Sequence, residues 1–134
     1  MNVLVDTPVW SLALRRSRGP ASREAAELAE LVRDGRAVII GPVRQELLSG
    51  IRGEQQLTLL RERLRSFPDL ALETDDFELA AEHFNQCRAR GVQGSNTDLL
   101  ICAVSSRRNL AVFTTDRDFA AFAKVVPVAL HRPR

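Results

Sequence analysis

Short apolar runs rich in β-branched residues alternate along this chain with longer stretches in which apolar residues return at helical spacing. Three of these runs predict β-strands, at residues 3–5, 37–40 and 110–115. Further extended pieces at residues 70–72 and 125–130 would bring the sheet to about five strands, with Pro127 confining the last one to an edge. Strands that alternate with helices predict an α/β fold in which helices cover both faces of a central parallel sheet.

Polar caps, glycines and prolines mark the helix boundaries. The first helix begins at Asp6-Thr7-Pro8, and a second covers about residues 22–34 before Gly35. Gly41-Pro42 opens the helix that carries Glu46, and another helix follows it up to residue 67. The next helix is predicted to be capped by Asp75 or Asp76 and to run through Arg90, with these residues inward: Phe77, Ala80, Ala81, Phe84 and Cys87.

Composition limits the class of protein without naming a partner. The 134 residues, 45% of them hydrophobic, fit one domain over residues 1–134, and a net charge of +2 is too small to indicate nucleic-acid binding by itself. Cys87 and Cys102 lie in apolar helical patterns, which favours neither a zinc site nor a disulfide framework. No run reaches the ~18 apolar residues of a membrane span, and no leader is visible, so we expect a cytoplasmic protein without a membrane partner.

Two aspartates directly follow predicted strands. Asp6 comes after the first strand, and Asp116 comes after the strand at residues 110–115. Because the carboxyl ends of parallel strands share one edge of a sheet, the two carboxylates should lie close together. Either one could instead be a helix N-cap, since aspartate is favoured at that position. Their joint placement favours a site.

Two further acids are candidates for the same site. Asp98 leads a helix whose next six residues are apolar. Asn96 or Thr97 is available to cap that helix, so capping does not explain a third polar residue there. Glu46 lies in mid-helix beside Leu47, where its side chain either borders the apolar face or is simply solvated.

Four carboxylates brought together would repel one another and need a positive counter-charge. Oxygen ligands without a neighbouring His or Cys cluster favour Mg²⁺ or Mn²⁺ over zinc. His83 and His131 lack paired ligand spacing, so they are interpreted as an ordinary helix histidine and a tail residue. A cation held by acids indicates phosphodiester chemistry.

These acidic motifs, in this order and spacing, resemble the PIN-domain ribonucleases, in particular the VapC toxins of bacterial toxin–antitoxin pairs. Four segments carry the resemblance: residues 3–7, Glu46-Leu47 with Gly50, residues 98–103, and residues 114–119, which are similar to T-x-D-x-D-F. Cys102 stands where many relatives have alanine, and this small apolar exchange does not put activity in doubt. The resemblance extends over the whole chain.

The resemblance implies a Mg²⁺-dependent endoribonuclease. Asp6, Glu46, Asp98 and Asp116 correspond to its metal-binding acids, while Thr114 orients the cluster or a water. Asp118 is either a further metal ligand or a first-turn acid favoured by the helix dipole. The resemblance also implies a homodimer and a cognate antitoxin protein. Candidate groove or dimer residues, for which a core role is the alternative, are Trp10, Leu12, Leu14, Leu47, Leu48 and Ile51.

RNA approaching an acidic pocket needs positive charge beside it. Arg15, Arg16 and Arg18, which follow the first helix, and Arg117 in the last motif are candidates for phosphate contacts. A second group of arginines has the spacing of a solvated outer helix face: Arg61, Arg63, Arg65, Arg107 and Arg108.

Two other functions remain open. A PIN-like module without catalysis would act through binding alone. A phospho-accepting domain of the response-regulator kind would need a lysine after a late strand, whereas Lys124 falls within an expected helix. Cleavage of RNA with Mg²⁺, and its loss with EDTA, separates these functions from the nuclease.

Overall fold

The central sheet is parallel, as the sequence pattern predicts. A computed structural model describes residues 1–14 and 22–134 of the chain. Within them three strands pair in the order β2-β1-β3, with β1 at Val3–Val5, β2 at Ala37–Val38 and β3 at Ala111–Phe113. All three residues of β1 are buried although successive side chains point to opposite faces, so both faces of the sheet are covered.

The two outer strands of the expected five shrink to single parallel bridges, Ile39 with Asp69 and Val112 with Leu130. The extended piece at residues 70–72 does not add a full strand: after one ladder bond from Leu70 N to Ile39 O, the carbonyl of Ala71 accepts from Arg108. The strand predicted at residues 125–130 is wrong because its first half winds into turns after the last helix. The parallel α/β architecture itself is confirmed.

Seven helices within the described residues connect and cover the strands. Their bounds are α1 Thr7–Leu14, α2 Arg23–Arg33, α3 Gly41–Leu48, α4 Glu54–Leu64, α5 Thr74–Ala89, α6 Asn96–Arg108 and α7 Asp118–Phe122. Helix α6 is the central buried helix that its apolar run predicts, with residues 99–105 all buried. It packs mainly against α5. None of the helices described here is long and apolar enough to cross a membrane.

Helix α5 differs from its prediction at its cap and on its inward face. Glu73, not Asp75 or Asp76, is the N-cap, and Asp76 completes a capping box by accepting from Glu73 N at 2.8 Å. The buried stripe starts at Asp76 and includes His83, whereas Phe77 is 53% exposed and Ala81 is exposed. The sequence pattern failed here because it treats buried Asp and His as surface residues, which rotates the predicted face by one position.

Both cysteines are buried and free, in agreement with the absence of a disulfide signal. Burial raises the pKa of the Cys102 thiol to about 12, and the nearby thiol of Cys87 and carboxylates of Asp98 and Asp6 act in the same direction. Cys102 therefore packs as a neutral apolar side chain on α6, one helical turn beyond Asp98.

Candidate active site

The ends of β1 and β3 bring Asp6 and Thr114 together. The parallel register pairs Val5 with Phe113, and Asp6 N donates to Phe113 O at 2.9 Å. One residue beyond the end of β3, the hydroxyl of Thr114 donates to Asp6 Oδ2 at 2.8 Å. The strand-end geometry expected from the sequence is therefore present, and it places Asp6 in a nearly closed position with only 4% of its surface exposed.

Thr7 joins Asp6 to Glu46. Its backbone N–H donates to Asp6 Oδ1 at 2.8 Å, and its hydroxyl donates to Glu46 Oε1 at 2.6 Å. Glu46 is exposed on α3 while its neighbour Leu47 is buried, so Glu46 lies on the open side of that helix rather than along its apolar face. Since α1 packs against α3, the Glu46 side chain still reaches the end of β1.

Asp98 stands in the first turn of α6 and takes part in its cap. Ser95, rather than Asn96 or Thr97, is the N-cap: its hydroxyl accepts from Asp98 N, and Asp98 Oδ2 accepts from Ser95 N, both at 3.1 Å. The expectation that Asp98 is not needed for capping is therefore wrong. The spacing Ser-x-x-Asp resembles the capping-box pattern and was the signal that could have identified Ser95.

Asp116 is tied to the same threonine as Asp6. Asp116 N donates to Thr114 Oγ1 at 3.0 Å, so one hydroxyl links the first and the fourth of the predicted acids. Asp116 Oδ1 accepts from Asp118 N at 2.9 Å, which starts α7. Asp118 itself is exposed in the first turn of that short helix.

The electrostatics show that these acids lie within range of one another. Burial raises the pKa of Asp6 to about 6; the hydrogen bonds from Thr114 and Thr7 lower it, and the charges of Asp98 and Glu46 raise it further. Burial also raises the pKa of Asp98, with the charges of Asp116 and Glu46 adding to the effect. Over residues 1–14 and 22–134, no basic side chain forms an ion pair with any of the four acids.

The donor chemistry of the site fits a hard divalent cation. Every side chain that converges here offers carboxylate or hydroxyl oxygen, the ligands that Mg²⁺ and Mn²⁺ prefer. In the described part of the chain, the carboxylates approach without reaching the spacing at which three or more His, Cys, Asp or Glu side chains could share an ion. Protein donors bind both oxygens of Asp6 and one oxygen of each of the other three acids, and a cation would take the remaining electron pairs.

Two groups predicted from the sequence have other roles. Arg107 and Arg108 do not point into solvent alone, because both bind the buried carboxylate of Asp76 at 2.6 and 2.8 Å. Trp10 is only 1% exposed, donates through Nε1 to Val5 O at 3.1 Å and packs its ring 5.0 Å from that of Phe67. Trp10 is therefore a core residue.

The other candidate surface residues divide by exposure. Leu12 on α1 is 42% exposed, and Leu47 is buried; the remaining members of the predicted groove are half-buried: Leu14, Leu48 and Ile51. Arg117 is exposed between Asp116 and Asp118. Arg15, Arg16 and Arg18 lie outside the described residues.

The histidines lie in two different environments, and neither joins the acids in the described structure. His83 is buried on α5, and His131 Nε2 lies 2.7 Å from Glu27 Oε2. The four predicted acids come from two strand ends and from helices α3 and α6.

Comparison with known proteins adds the family. The model of the PIN domain matches residues 3–125. The chain belongs to the PIN domain family. The resemblance inferred from the acidic motifs is thereby confirmed, and the α/β architecture described above is the PIN fold. A comparison with curated protein sequences gave no match.

Solved PIN structures superpose over nearly the whole chain. FitAcB from Neisseria gonorrhoeae matches with a TM-score of 0.77 and 24% identity, covering 98% of this chain and 97% of the other. VapBC2 from Rickettsia felis, bound to a DNA fragment from its promoter, matches with a TM-score of 0.73 and 16% identity, covering 98% of each chain. VapBC-5 from Mycobacterium tuberculosis, a member of the VapBC family of toxin-antitoxin systems, matches with a TM-score of 0.69 and 22% identity, again covering 98% of each chain.

Proposed function

We propose that this PIN-domain chain is a Mg²⁺-dependent endoribonuclease, with Mn²⁺ as an alternative metal and residues 1–134 acting as one nuclease domain. The observation that carries the proposal is Asp6. It is a buried carboxylate with other acids around it and no described basic side chain beside it, so a bound cation is the counter-charge that would keep it ionised. Membership of the PIN family supports the same function.

In this proposal Asp6, Glu46, Asp98 and Asp116 hold the metal, and Asp118 is an outlying ligand. The cation supplies Lewis-acid chemistry for adding water across a phosphodiester P–O bond. Thr114 keeps Asp6 and Asp116 in one orientation, because its hydroxyl donates to the first and accepts from the backbone of the second. Arg117, exposed between two acids, is the described side chain best placed to hold an RNA phosphate near the site.

The test is cleavage of a structured RNA by the purified protein. We expect cleavage with Mg²⁺ or Mn²⁺, its loss with EDTA, and a rate at least ~100-fold lower for Asp6→Asn, since a primary ligand is lost. Glu62→Gln, which alters an exposed acid on α4, is the matched control and should cleave like the wild type. An inactive wild type would leave a PIN module that functions by binding alone. Cleavage by Asp6→Asn at the wild-type rate would show that Asp6 is not needed for it, which would overturn the proposed site.

We further propose that the nuclease is the toxin of a cytoplasmic toxin–antitoxin pair. Several of the solved structures that share the fold are VapBC or FitAB assemblies or toxin-antitoxin complexes, which supports an antitoxin partner. An acidic pocket would also attract an arginine of such a partner. Expression should arrest growth, the small open reading frame next to the gene should relieve the arrest, and Asp6→Asn should be harmless. If the enzyme is active but its expression does not slow growth, the protein would be a housekeeping nuclease.

A homodimer through α5 is the assembly that we propose. Phe77 and Ala81 form an exposed apolar stripe on this helix, with Glu78 near its amino terminus, Glu82 at its middle, and Arg88 and Arg90 at or just beyond its carboxyl end. Two antiparallel copies would therefore set acidic against basic ends. Light scattering at micromolar concentration should give a dimer for the wild type and a monomer for Phe77→Glu. A monomeric wild type would remove the proposal.

A further inference from the structure

Thr7 lies between two of the acids and contacts both, although the first motif, which includes it, gave it no role of its own. Its backbone and its side chain make separate contacts: the N–H donates to Asp6 Oδ1, and the hydroxyl donates to Glu46 Oε1. We propose that Thr7 is a positioning residue whose hydroxyl holds Glu46 beside Asp6, so that the pair is prepared for a divalent cation. The proposal rests on the proposed function, because it concerns the same site.

Glu46 needs such a partner more than the other acids do. It lies in the middle of α3 on its exposed side, and a free glutamate there would distribute over several rotamers. The 2.6 Å bond to Thr7 restricts it to one of them. Among the residues that the structure describes, Thr7 is the side chain that hydrogen-bonds to Glu46. Oε1 is thereby used as an acceptor, and Oε2 remains for a ligand.

Thr7 and Thr114 act as a pair of bridges from Asp6. Thr114 connects Asp6 to Asp116 across the ends of two strands, whereas Thr7 connects Asp6 to Glu46 across two helices. Each Asp6 oxygen thus accepts one bond, Oδ1 from Thr7 N and Oδ2 from the Thr114 hydroxyl. Asp6 is thereby linked to both Glu46 and Asp116, in each case through one threonine.

The two contacts of Thr7 can be separated by substitution. The bond from its backbone to Asp6 persists with any residue except proline, but the bond to Glu46 requires a hydroxyl. Thr7→Val keeps the β-branched shape and removes the hydroxyl, while Thr7→Ser keeps the hydroxyl. Thr7→Ala provides a second variant without a hydroxyl, should valine disturb the first turn of α1. Thr58→Val makes the same exchange on α4, at a hydroxyl that forms no described hydrogen bond with any of the four acids, and is the matched control.

The experiment measures Mn²⁺ affinity of the full chain by electron paramagnetic resonance, without RNA. We expect Thr7→Val and Thr7→Ala to weaken binding about tenfold, the scale typical of groups that orient metal ligands. Thr7→Ser and Thr58→Val should stay within about twofold of the wild type, far below that scale. Adding Thr7→Val to Glu46→Gln should cause no further loss, because the hydroxyl acts through Glu46.

The outcomes distinguish this inference from the proposed function. Hydroxyl-dependent Mn²⁺ binding without RNA cleavage would support the positioning role and overturn the nuclease. If the protein cleaves RNA while Thr7→Val and Thr7→Ala bind Mn²⁺ with wild-type affinity, the positioning role is overturned and the nuclease proposal stands. A loss that Thr7→Ser does not restore, or that adds fully to Glu46→Gln, also overturns it. A wild type that binds no Mn²⁺ overturns both.

Discussion

Asp6 and Asp76 are both buried aspartates at the start of a helix, Asp6 just before α1 and Asp76 in the first turn of α5. Yet the pKa of Asp6 is raised and the pKa of Asp76 is lowered. Burial would raise the pKa of Asp76, but the N–H of Glu73 and the guanidinium groups of Arg107 and Arg108 hold it below its usual range. Burial raises the pKa of Asp6 to about 6, and its hydrogen-bond donors offset only part of that rise.

The difference lies in the counter-charge, because burial acts on both carboxylates in the same direction. Asp76 has two arginines within hydrogen-bond distance, which join α5 to the end of α6. Asp6 has neutral donors and other acids around it. A buried acid with its cation supplied by the chain stabilises the fold, whereas one without it is suited to bind a cation from outside.

The largest effect on stability is expected where the counter-charge is internal. Asp76→Asn should lower the free energy of unfolding by about 2–3 kcal/mol, because it leaves Arg107 and Arg108 without their anion. Urea unfolding at pH 7 measures this. Asp75→Asn changes an exposed acid of the same turn and should cost less than about 0.5 kcal/mol. Equal effects for the two variants would contradict a structural role for Asp76.

The same exchange of Asp for Asn at position 6 should change the free energy of unfolding in the opposite direction. Asp6→Asn should raise the free energy of unfolding of the metal-free protein by about 1–2 kcal/mol, because it removes a buried charge that other acids repel. Urea unfolding in EDTA at pH 7 measures it alongside Asp76→Asn. If Asp6→Asn lowered the free energy of unfolding as much as Asp76→Asn does, the contrast between the two aspartates would be contradicted.

The pH dependence of stability should follow the direction of the Asp76 shift. A carboxyl whose folded pKa is lowered contributes stability above its ordinary value of about 4 and loses it as pH falls through the folded pKa. The gap between the wild type and Asp76→Asn should therefore be constant from about pH 5 to 7 and close below about pH 4. Urea midpoints across this range test it, and a gap that widens in acid would show that the sign is wrong.

The smallest effect is expected at a third buried acid, Glu27. Burial would raise its pKa, but hydrogen bonds from His131 and Arg134 hold it below its usual range. Arg134 is 60% exposed, so Arg134→Ala should cost only about 0.5 kcal/mol. Thermal unfolding measures it against Arg132→Ala, an exposed neighbour. Identical melting temperatures for the two would show that the arginine adds nothing to Glu27.

Much of the fold was predictable because it depends on local pattern. The three strands, the central helix α6 and the ends of α2 follow from apolar runs, caps and glycines. The outer strands and the inward face of α5 were not predictable. Whether residues 70–72 and 125–130 pair along their length, and whether Asp76 and His83 are buried, depends on partners that are distant in the sequence.

The candidate site also has features that the sequence predicted and features that it did not. Strand-end position identified Asp6 and Asp116, and the family motifs added Glu46. Asp98 was singled out because a further capping residue looked redundant, although it does take part in the cap. The sequence did not reveal the contacts that distinguish these acids from one another. Thr7 reaches Glu46 over 39 positions and Thr114 reaches Asp6 over 108, so no local spacing could reveal either bond.

Strand periodicity and chain order are local properties, and they are enough to predict an α/β protein with acids at the ends of its parallel strands. Which buried acids have a counter-charge depends instead on contacts between distant segments. Arg107 and Arg108 look like solvated helix residues until packing brings them to Asp76, 31 and 32 positions away. Burial and charge pairing arise from the approach of distant segments, and they are what separates the acids that stabilise this fold from those available to a metal.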